Sequence, residues 1–548
     1  MTKYITGGPP RFQHQKRGLR KMIETKGVCA LLFDPGLGKT STVLDYIGLL
    51  ALKSPTREAR VLVICPLAAT DTWVLQSEIF MSPQVNYWAE ALGGSLLQRA
   101  EALAARGGDP YRTHLGGKTY RTKPAHPRAQ WWEKSTAWQA RREGENDLQA
   151  SEGPDALLGP RPRVVLEVVN LDTFSSRSTV GSKTMADVML DAVRRFGPDL
   201  VVVDESHRIK SASSNVSRLL SRIGHVVPRR VILTGTVMPT SPVDVFGQWR
   251  FLAPYAFGST RADGTRRTAT FGAFKSRYCI YGGWMGKEIT GFQRLDEMQD
   301  IMAENAEVAR KEDALDLPET TDVTVPVHLS PRESKAYAEM KSDLSVQISS
   351  DSFATETSRL TQMLRLRQIT SGFIKDDHGE LQHIGSSKAR TIASLVSDTL
   401  TGEKRIVIFA LFRAEIDLLA DLLDEPGTEV QVITGDTSAQ ERQRMRKRFG
   451  SDDPQRMVMV AQIKTMSLAV NELVTASHAI FASMSQQRDD YVQARDRLNR
   501  LGQERPVTFW HATASGTVDE VILDVHRDRG DLEARMLKHV QGEGEKDE

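Results

Sequence analysis

Residues 28–41 read VCALLFDPGLGKTS. The first six are apolar without a break, which is the pattern of a strand buried on both faces. From Gly38 onward the spacing becomes helical, through residue 52. Between strand and helix lies a turn with two glycines, Gly36 and Gly38, followed by Lys39 and Thr40. Strand, glycine turn and helix start in that order make a cradle for phosphate. The backbone N–H groups of Gly36, Leu37, Gly38 and Ser41 can face anionic oxygens, and the helix dipole adds to the field. Lys39 then reaches the β- and γ-phosphates of a nucleotide, and the Thr40 hydroxyl holds Mg²⁺. The usual loop has one more glycine, five residues before Gly38, and that position here is Phe33.

The same strand pattern recurs. In the first half it falls at 61–65, 164–169, 199–203 and 230–233, with helical spacing at 185–196. In the second half it falls at 405–410, 429–433, 457–461, 478–482 and 506–511, with helices expected over 413–424, 438–449 and 487–500. Ser438 with Glu441, and Thr517 with Glu520, read as capping boxes. Strands buried on both faces and alternating with helices imply α/β architecture with parallel sheets covered on both sides. The expected organisation is an N-terminal lobe over 1–255 with an insertion at 84–162, a helical linker over 256–324, a C-terminal lobe over 325–525, and a helix with a frayed tail over 526–548.

Bulk properties narrow the class. The chain has 548 residues, 40% hydrophobic and 26% charged, with a net charge of +2. Any basic surface for nucleic acid must therefore be local. Cys29, Cys65 and Cys279 form no C-x-x-C pair, so no structural zinc site is expected. The N-terminus has no apolar leader and no run is long enough to span a bilayer, so a cytoplasmic location is expected, that of the host if the source is viral.

Two further motifs carry chemistry. Residues 199–210 read DLVVVDESHRIK. A buried strand ends on adjacent carboxylates. Asp204 is placed to bind Mg²⁺ through water, and Glu205 to orient and deprotonate an attacking water. His207, two residues on, can link that site to the rest of the lobe. Residues 493–503 read QARDRLNRLGQ. Arg497 and Arg500 are three apart, on one face of the expected helix, and suit stabilisation of charge on a transferring phosphoryl group.

Together these stretches resemble the superfamily-two helicase-like ATPases, and among them the Swi/Snf-type, chromatin-remodeller branch. That branch has D-E-M-G-L-G-K-T at the phosphate loop, D-E-[AS]-H-x-x-K at the acidic box and Q-x-x-D-R-x-x-R-x-G-Q at its last motif. This chain has FDPGLGKT, DESHRIK and QARDRLNRLGQ. The branch also lacks the first loop glycine, so Phe33 fits its style. The resemblance extends over about 1–83 and 163–525. It implies that Gln15 in FQHQKRG reads the adenine edge. It places Pro66 to Trp73 of VICPLAATDTW beside a nucleic-acid strand. It makes Thr234, Gly235 and Thr236 of LTGT couple hydrolysis to movement. VIFALFRAEIDLL, ITGDTSAQER and SGTVDE resemble second-lobe segments, and LDLPETTDVTVPVHLS the lead-in to that lobe.

Two stretches depart from the family pattern. LTGT is followed by Val237-Met238-Pro239-Thr240 in place of P-x-Q-N, and residues 466–473, MSLAVNEL, replace a glycine-rich motif.

What the resemblance implies is two tandem RecA-like lobes with the nucleotide cleft between them, ATP and Mg²⁺ as cofactors, and translocation on DNA, expected to be double-stranded. A bacterial or phage source is expected. A strand-separating DNA or RNA helicase is the alternative, and a DNA-binding scaffold with a dead ATPase is a second one. The insertion remains open between two readings. Residues 106–142 carry nine Lys/Arg against two acids, with five aromatics interleaved. Arg112, Lys118, Arg121, Lys123, Trp131 and Trp132 suit phosphate neutralisation and base stacking. A small decoration whose tryptophans form its own core suits the same residues.

Overall fold

The computed structural model describes residues 4–540 apart from 108–112, 116–117, 121–160, 177, 181, 283–287, 351–355, 376–379 and 468–471. The chain forms two compact units, residues 1–314 with 532–548, and residues 315–531.

The first unit is built on a seven-stranded sheet. Its order is Ala306–Ala309, Val28–Phe33, Arg230–Leu233, Leu200–Asp204, Glu58–Cys65, Arg163–Asn170 and Asn86–Ala91, all parallel. The central strands are the apolar runs seen in the sequence, and they are buried throughout. Helices Lys39–Lys53 and Met185–Phe196 follow their strands as expected. Parallel strands end at one edge of a sheet. The phosphate loop, Cys65–Pro66, Asp204–Glu205 and Thr234–Thr236 therefore all leave the sheet on the same side, where α/β proteins bind ligands.

The second unit has six parallel strands in the order Thr320–Val327, Val507–Ala514, His478–Phe481, Arg405–Ala410, Arg456–Gln462 and Thr428–Ile433. Each unit is thus an α/β lobe of the RecA-like kind. Among the described residues no helix is long and apolar enough to cross a membrane.

Four expectations change. The region read as a helical linker, 256–324, supplies the strand Ala306–Ala309, which pairs beside Val28–Phe33 and extends the first unit to residue 314. The insertion is shorter than 84–162, because Asn86–Ala91 is the sheet's far edge strand and Leu96–Gly107 is a helix leading away from it. The helix expected over 487–500 stops at Arg495, so Arg497 and Arg500 stand on the turns beyond it. Ser438 accepts from Glu441 N as a cap should, whereas the Thr517 hydroxyl accepts from Asp519 N and donates to Ala514 O.

Candidate nucleotide and nucleic-acid site

The phosphate loop is shaped by what packs beneath it. Phe33, where a glycine is usual, is buried and meets His14 edge-on at 5.6 Å, so it anchors the loop's start under the helix Gln13–Glu24. Asp34 carries the loop's other side. Its Oδ2 accepts from Lys311 N at 2.9 Å, and Arg310 lies 3.7 Å from its Oδ1. Gly36 and Gly38 both have positive φ, 87° and 78°. At Gly38 a side chain is excluded, since a Cβ there would stand 2.1 Å from Gln15 Nε2. At Gly36 a Cβ would meet nothing within 4 Å, so that side of the loop is open to a ligand.

Lys39 Nζ donates to Phe33 O at 2.8 Å, at the mouth of the loop. The Ser41 hydroxyl donates to Gly38 O, so of Ser41 only the backbone is offered to a phosphate. Gln15 is buried with its amide engaged. Its Nε2 donates to Leu37 O at 3.1 Å and its Oε1 accepts from Phe12 N at 3.0 Å. His14 Nε2 meets the same Leu37 carbonyl at 2.8 Å. The segment expected to read adenine is therefore tied directly to the loop.

The acidic pair sits at the end of Leu200–Asp204. Asp204 Oδ1 accepts from Glu205 N, and Asp204 Oδ2 accepts from the indole of Trp73, both at 2.9 Å. Burial pushes the Asp204 carboxyl up to about 6, and the neighbouring Glu205 charge pushes the same way. Glu205 itself has φ 50° and ψ 54°, a left-handed conformation that non-glycine residues avoid. Such strain is found where a side chain must be aimed. His207 Nδ1 lies 3.3 Å from Glu205 Oε2 and 3.2 Å from Thr234 Oγ1. Thr234 Oγ1 donates to Thr236 O at 2.9 Å and accepts from Thr236 N at 3.1 Å. With the hydroxyl proton so used, His207 Nδ1 is the donor towards Thr234. Gly235 closes the circuit: a Cβ there would be 2.8 Å from Pro35 of the phosphate loop.

These residues fit a nucleoside triphosphate with Mg²⁺. The open Gly36 side, a helix N-terminus and a lysine beside backbone carbonyls suit phosphates. Among the described residues no cluster of three or more metal-ligating side chains exists. Thr40 and Asp204 are the side chains that would hold a Mg²⁺, which takes few protein ligands beside phosphates and water.

Other expected site residues fall differently. Trp73 was expected to lie against nucleic acid, but it is 1% exposed and turned inward to Asp204. Pro66, at the start of that segment, is partly exposed. Arg112, Arg121, Lys123, Trp131 and Trp132 lie outside the described residues; Lys118 begins a two-stranded ribbon with Thr113–Leu115. In the second unit Arg497 and Arg500 are partly buried, and burial lowers the pKa of Arg500 while Asp496 and Glu472 oppose the shift. The rest of that motif is structural. Gly502 has φ 100°, and Gln503 is buried with Nε2 donating to Ala476 O at 2.9 Å. The altered stretch at 466–473 includes 468–471, outside the described residues.

Three site contacts had no signal in the sequence reading. They are Trp73 on Asp204, Arg310 and Lys311 on Asp34, and Glu533. The last is buried and its Oε1 accepts from Val237 N at 2.8 Å and Met238 N at 3.2 Å, directly after the coupling turn.

A model of the SNF2-related domain matches residues 167–372, and a model of the helicase conserved C-terminal domain matches residues 387–502. The chain is 23% identical over 342 residues to Protein CHROMATIN REMODELING 4 of Arabidopsis thaliana, covering 60% of this chain and 14% of that protein. It is 25% identical over 351 residues to DNA annealing helicase and endonuclease ZRANB3 of Bos taurus, covering 62% and 30%. It is 24% identical over 354 residues to an uncharacterized ATP-dependent helicase of Mycoplasma pneumoniae, covering 64% and 32%. The chain thus spans about a third or less of the length of these relatives. The Sulfolobus solfataricus SWI2/SNF2 ATPase core in complex with dsDNA is similar at 18% identity and a TM-score of 0.36, over 98% of this chain and 94% of that one. With an SNF2-related domain followed by a helicase C-terminal domain, the chain belongs to the SNF2-type branch of the helicase-like ATPases.

Proposed function

We propose that this chain is a DNA-dependent ATPase motor that couples ATP hydrolysis to translocation along duplex DNA. The observation that carries the reading is the contact path Glu205–His207–Thr234, with Gly235 against the phosphate loop. A carboxylate that senses the attacking water is joined by one imidazole to a turn that touches the nucleotide loop. Simple nucleotide storage needs no such path.

When bound, Mg²⁺ neutralises charge on the phosphates. The chain's own residues do the rest. The Lys39 ammonium leaves the Phe33 carbonyl for the β- and γ-phosphates. Asp204 and Thr40 hold the ion's water shell. Glu205 accepts a proton from the attacking water, and the charge it gains or loses is felt by His207 and passed to Thr234. The same reading gives Arg497 and Arg500 the charge that develops on the transferring phosphoryl group. DNA is held mainly through its phosphates, which position the motor without reading sequence.

The test is ATP hydrolysis measured with duplex DNA, single-stranded DNA, RNA and no nucleic acid. Duplex DNA is expected to stimulate most. Stimulation by RNA alone overturns the substrate assignment, and no hydrolysis under any condition leaves the scaffold reading in its place.

A further inference from the structure

Trp73 is the one expected nucleic-acid contact that faces the opposite way. It lies on the helix Thr70–Phe80, which follows Pro66 at the end of Glu58–Cys65. That strand is registered so that Ile64 pairs with Val203, one residue before Asp204. The helix therefore starts beside the strand end that carries the acidic pair. Its inward side is Trp73 and Ser77, both buried, with the Ser77 hydroxyl donating to Trp73 O at 2.8 Å. Its outward side is open: Leu75 is 57% and Ile79 is 49% exposed, and Leu67 in the preceding turn is 63% exposed.

The inward contact is directional. An indole N–H donates and cannot accept, so Asp204 Oδ2 has one fixed donor at 2.9 Å. Asp204 Oδ1 is fixed by Glu205 N at the same distance. The two bonds set the rotation of the carboxylate. A second buried tryptophan in the same unit shows that burial alone does not require this. Trp249 on Asp244–Leu252 is fully buried, and its indole nitrogen has no hydrogen-bond partner among the described residues.

We propose that Trp73 is a positioning residue that couples nucleic-acid occupancy of the Pro66–Phe80 segment to the orientation of Asp204. The proposal rests on the reading of the chain as a DNA-dependent ATPase. A strand lying along the open side of the segment shifts or steadies the helix. The indole moves with the helix, and the carboxylate turns with the indole. The departure of Trp73 from the exposed face is then the means by which that face communicates with the acidic pair.

The test uses the full chain labelled with ¹⁵N at its indole nitrogens. The Trp73 resonance is the one missing from Trp73→Phe; if that chain does not fold, it is the one moved by Asp204→Asn. Both ADP with Mg²⁺ and, separately, nucleotide-free duplex DNA are expected to shift it. A resonance that responds to only one of them, or to neither, overturns the coupling. Hydrolysis is read in parallel. Trp73→Phe is expected to lower the DNA-stimulated kcat about tenfold or more, the scale of a hydrogen bond to a charged group, with a smaller change in KM for ATP. Trp249→Phe removes an indole of equal size and leaves stimulation within about twofold, the modest cost expected of a change in packing alone. Equal losses in the two variants, or full stimulation in Trp73→Phe, overturn the proposal. A wild-type chain whose hydrolysis ignores DNA sinks the functional reading itself. A stimulated wild type beside an equally stimulated Trp73→Phe sinks only the coupling.

Discussion

Two buried carboxylate sites, one in each unit, are answered differently. In the second unit Asp519 is ion-paired with Lys388, and both are buried. Asp519 also accepts from Thr370 Oγ1 and Ala514 N, while Glu415 accepts from Ser371 and Ser483. Both of these carboxylates have an opposite charge or donors to satisfy them. In the first unit Asp204 has another acid, Glu205, as its neighbour, and its oxygens take only an indole and a backbone N–H. Opposed charges hold a fold together. Like charges held side by side store tension that a cation and a phosphate chain can relieve, and this is how functional sites are told from structural networks.

The largest effect expected from this contrast is on catalysis. Lys39→Ala or Glu205→Gln should lower DNA-stimulated hydrolysis by about 10⁴-fold, or ~5 kcal/mol of barrier. Neither should lower the melting temperature by as much as the loss of a buried ion pair, because Glu205 is partly exposed and Lys39 bonds only backbone carbonyls. Steady-state ATPase assays and calorimetry check both halves; a variant that keeps a tenth of the rate breaks the comparison.

Lys388→Met should do the reverse. It leaves Asp519 buried without its cation, a change that costs about 3–5 kcal/mol. Urea unfolding followed in the second unit should show it. A loss below about 1 kcal/mol would mean that the network is less tightly closed than its contacts indicate.

The response to pH sharpens the contrast further, because the two units should move in opposite directions. His511 and His526 are held at about 4 by burial, below their ordinary 6.5. Their contribution is present above pH 6.5 and is lost as pH falls through 4, so between pH 7 and 5 the second unit should lose about 2 kcal/mol per histidine. Asp204 is held at about 6, above its ordinary 3.8. Its contribution is present below pH 3.8 and is lost as pH rises through 6. Over the same span, in chelator and without nucleotide, Asp204 should add about 1 kcal/mol to the stability of the first unit. Hydrogen exchange at pH 7 and pH 5 reads the units separately, after correction for the intrinsic exchange rate. His526→Gln should remove about 2 kcal/mol of the loss and Asp204→Asn about 1 kcal/mol of the gain, to which buried Glu167, held at about 8, also contributes.

How far the sequence revealed this depended on burial. The strands at the centre of each sheet were legible because both their faces are covered, which makes them continuous apolar runs. Of the edge strands only Thr428–Ile433 was legible, at 429–433. Thr320–Val327 alternates and is mostly exposed, and Ala306–Ala309 has only four residues, inside a stretch that reads as polar and helical. Lys39, Asp204, Glu205 and His207 were legible as short spacings. Phe33 was legible as an oddity, but its packing against His14 is a tertiary fact. The inward turn of Trp73 was hidden for the same reason: a tryptophan in a surface-facing segment carries no mark of the side on which it lies. Arg497 and Arg500 were identified by motif, while their place beyond the helix end at Arg495 was not, because residues 496–500 keep a helical composition.

The bonds from Val237 N and Met238 N to Glu533 have a consequence for synthesis. Residues 1–314 are made before residue 533, yet the acceptor for two of their backbone N–H groups is Glu533. Roughly 300 residues separate the partners, which at ordinary elongation speeds means about 15–60 s of translation. Through that interval the coupling turn exists without its anchor. The seven-stranded sheet can be complete while the turn that follows Leu233 is not yet anchored. A chain released short of Glu533 would leave Val237 N and Met238 N without that acceptor.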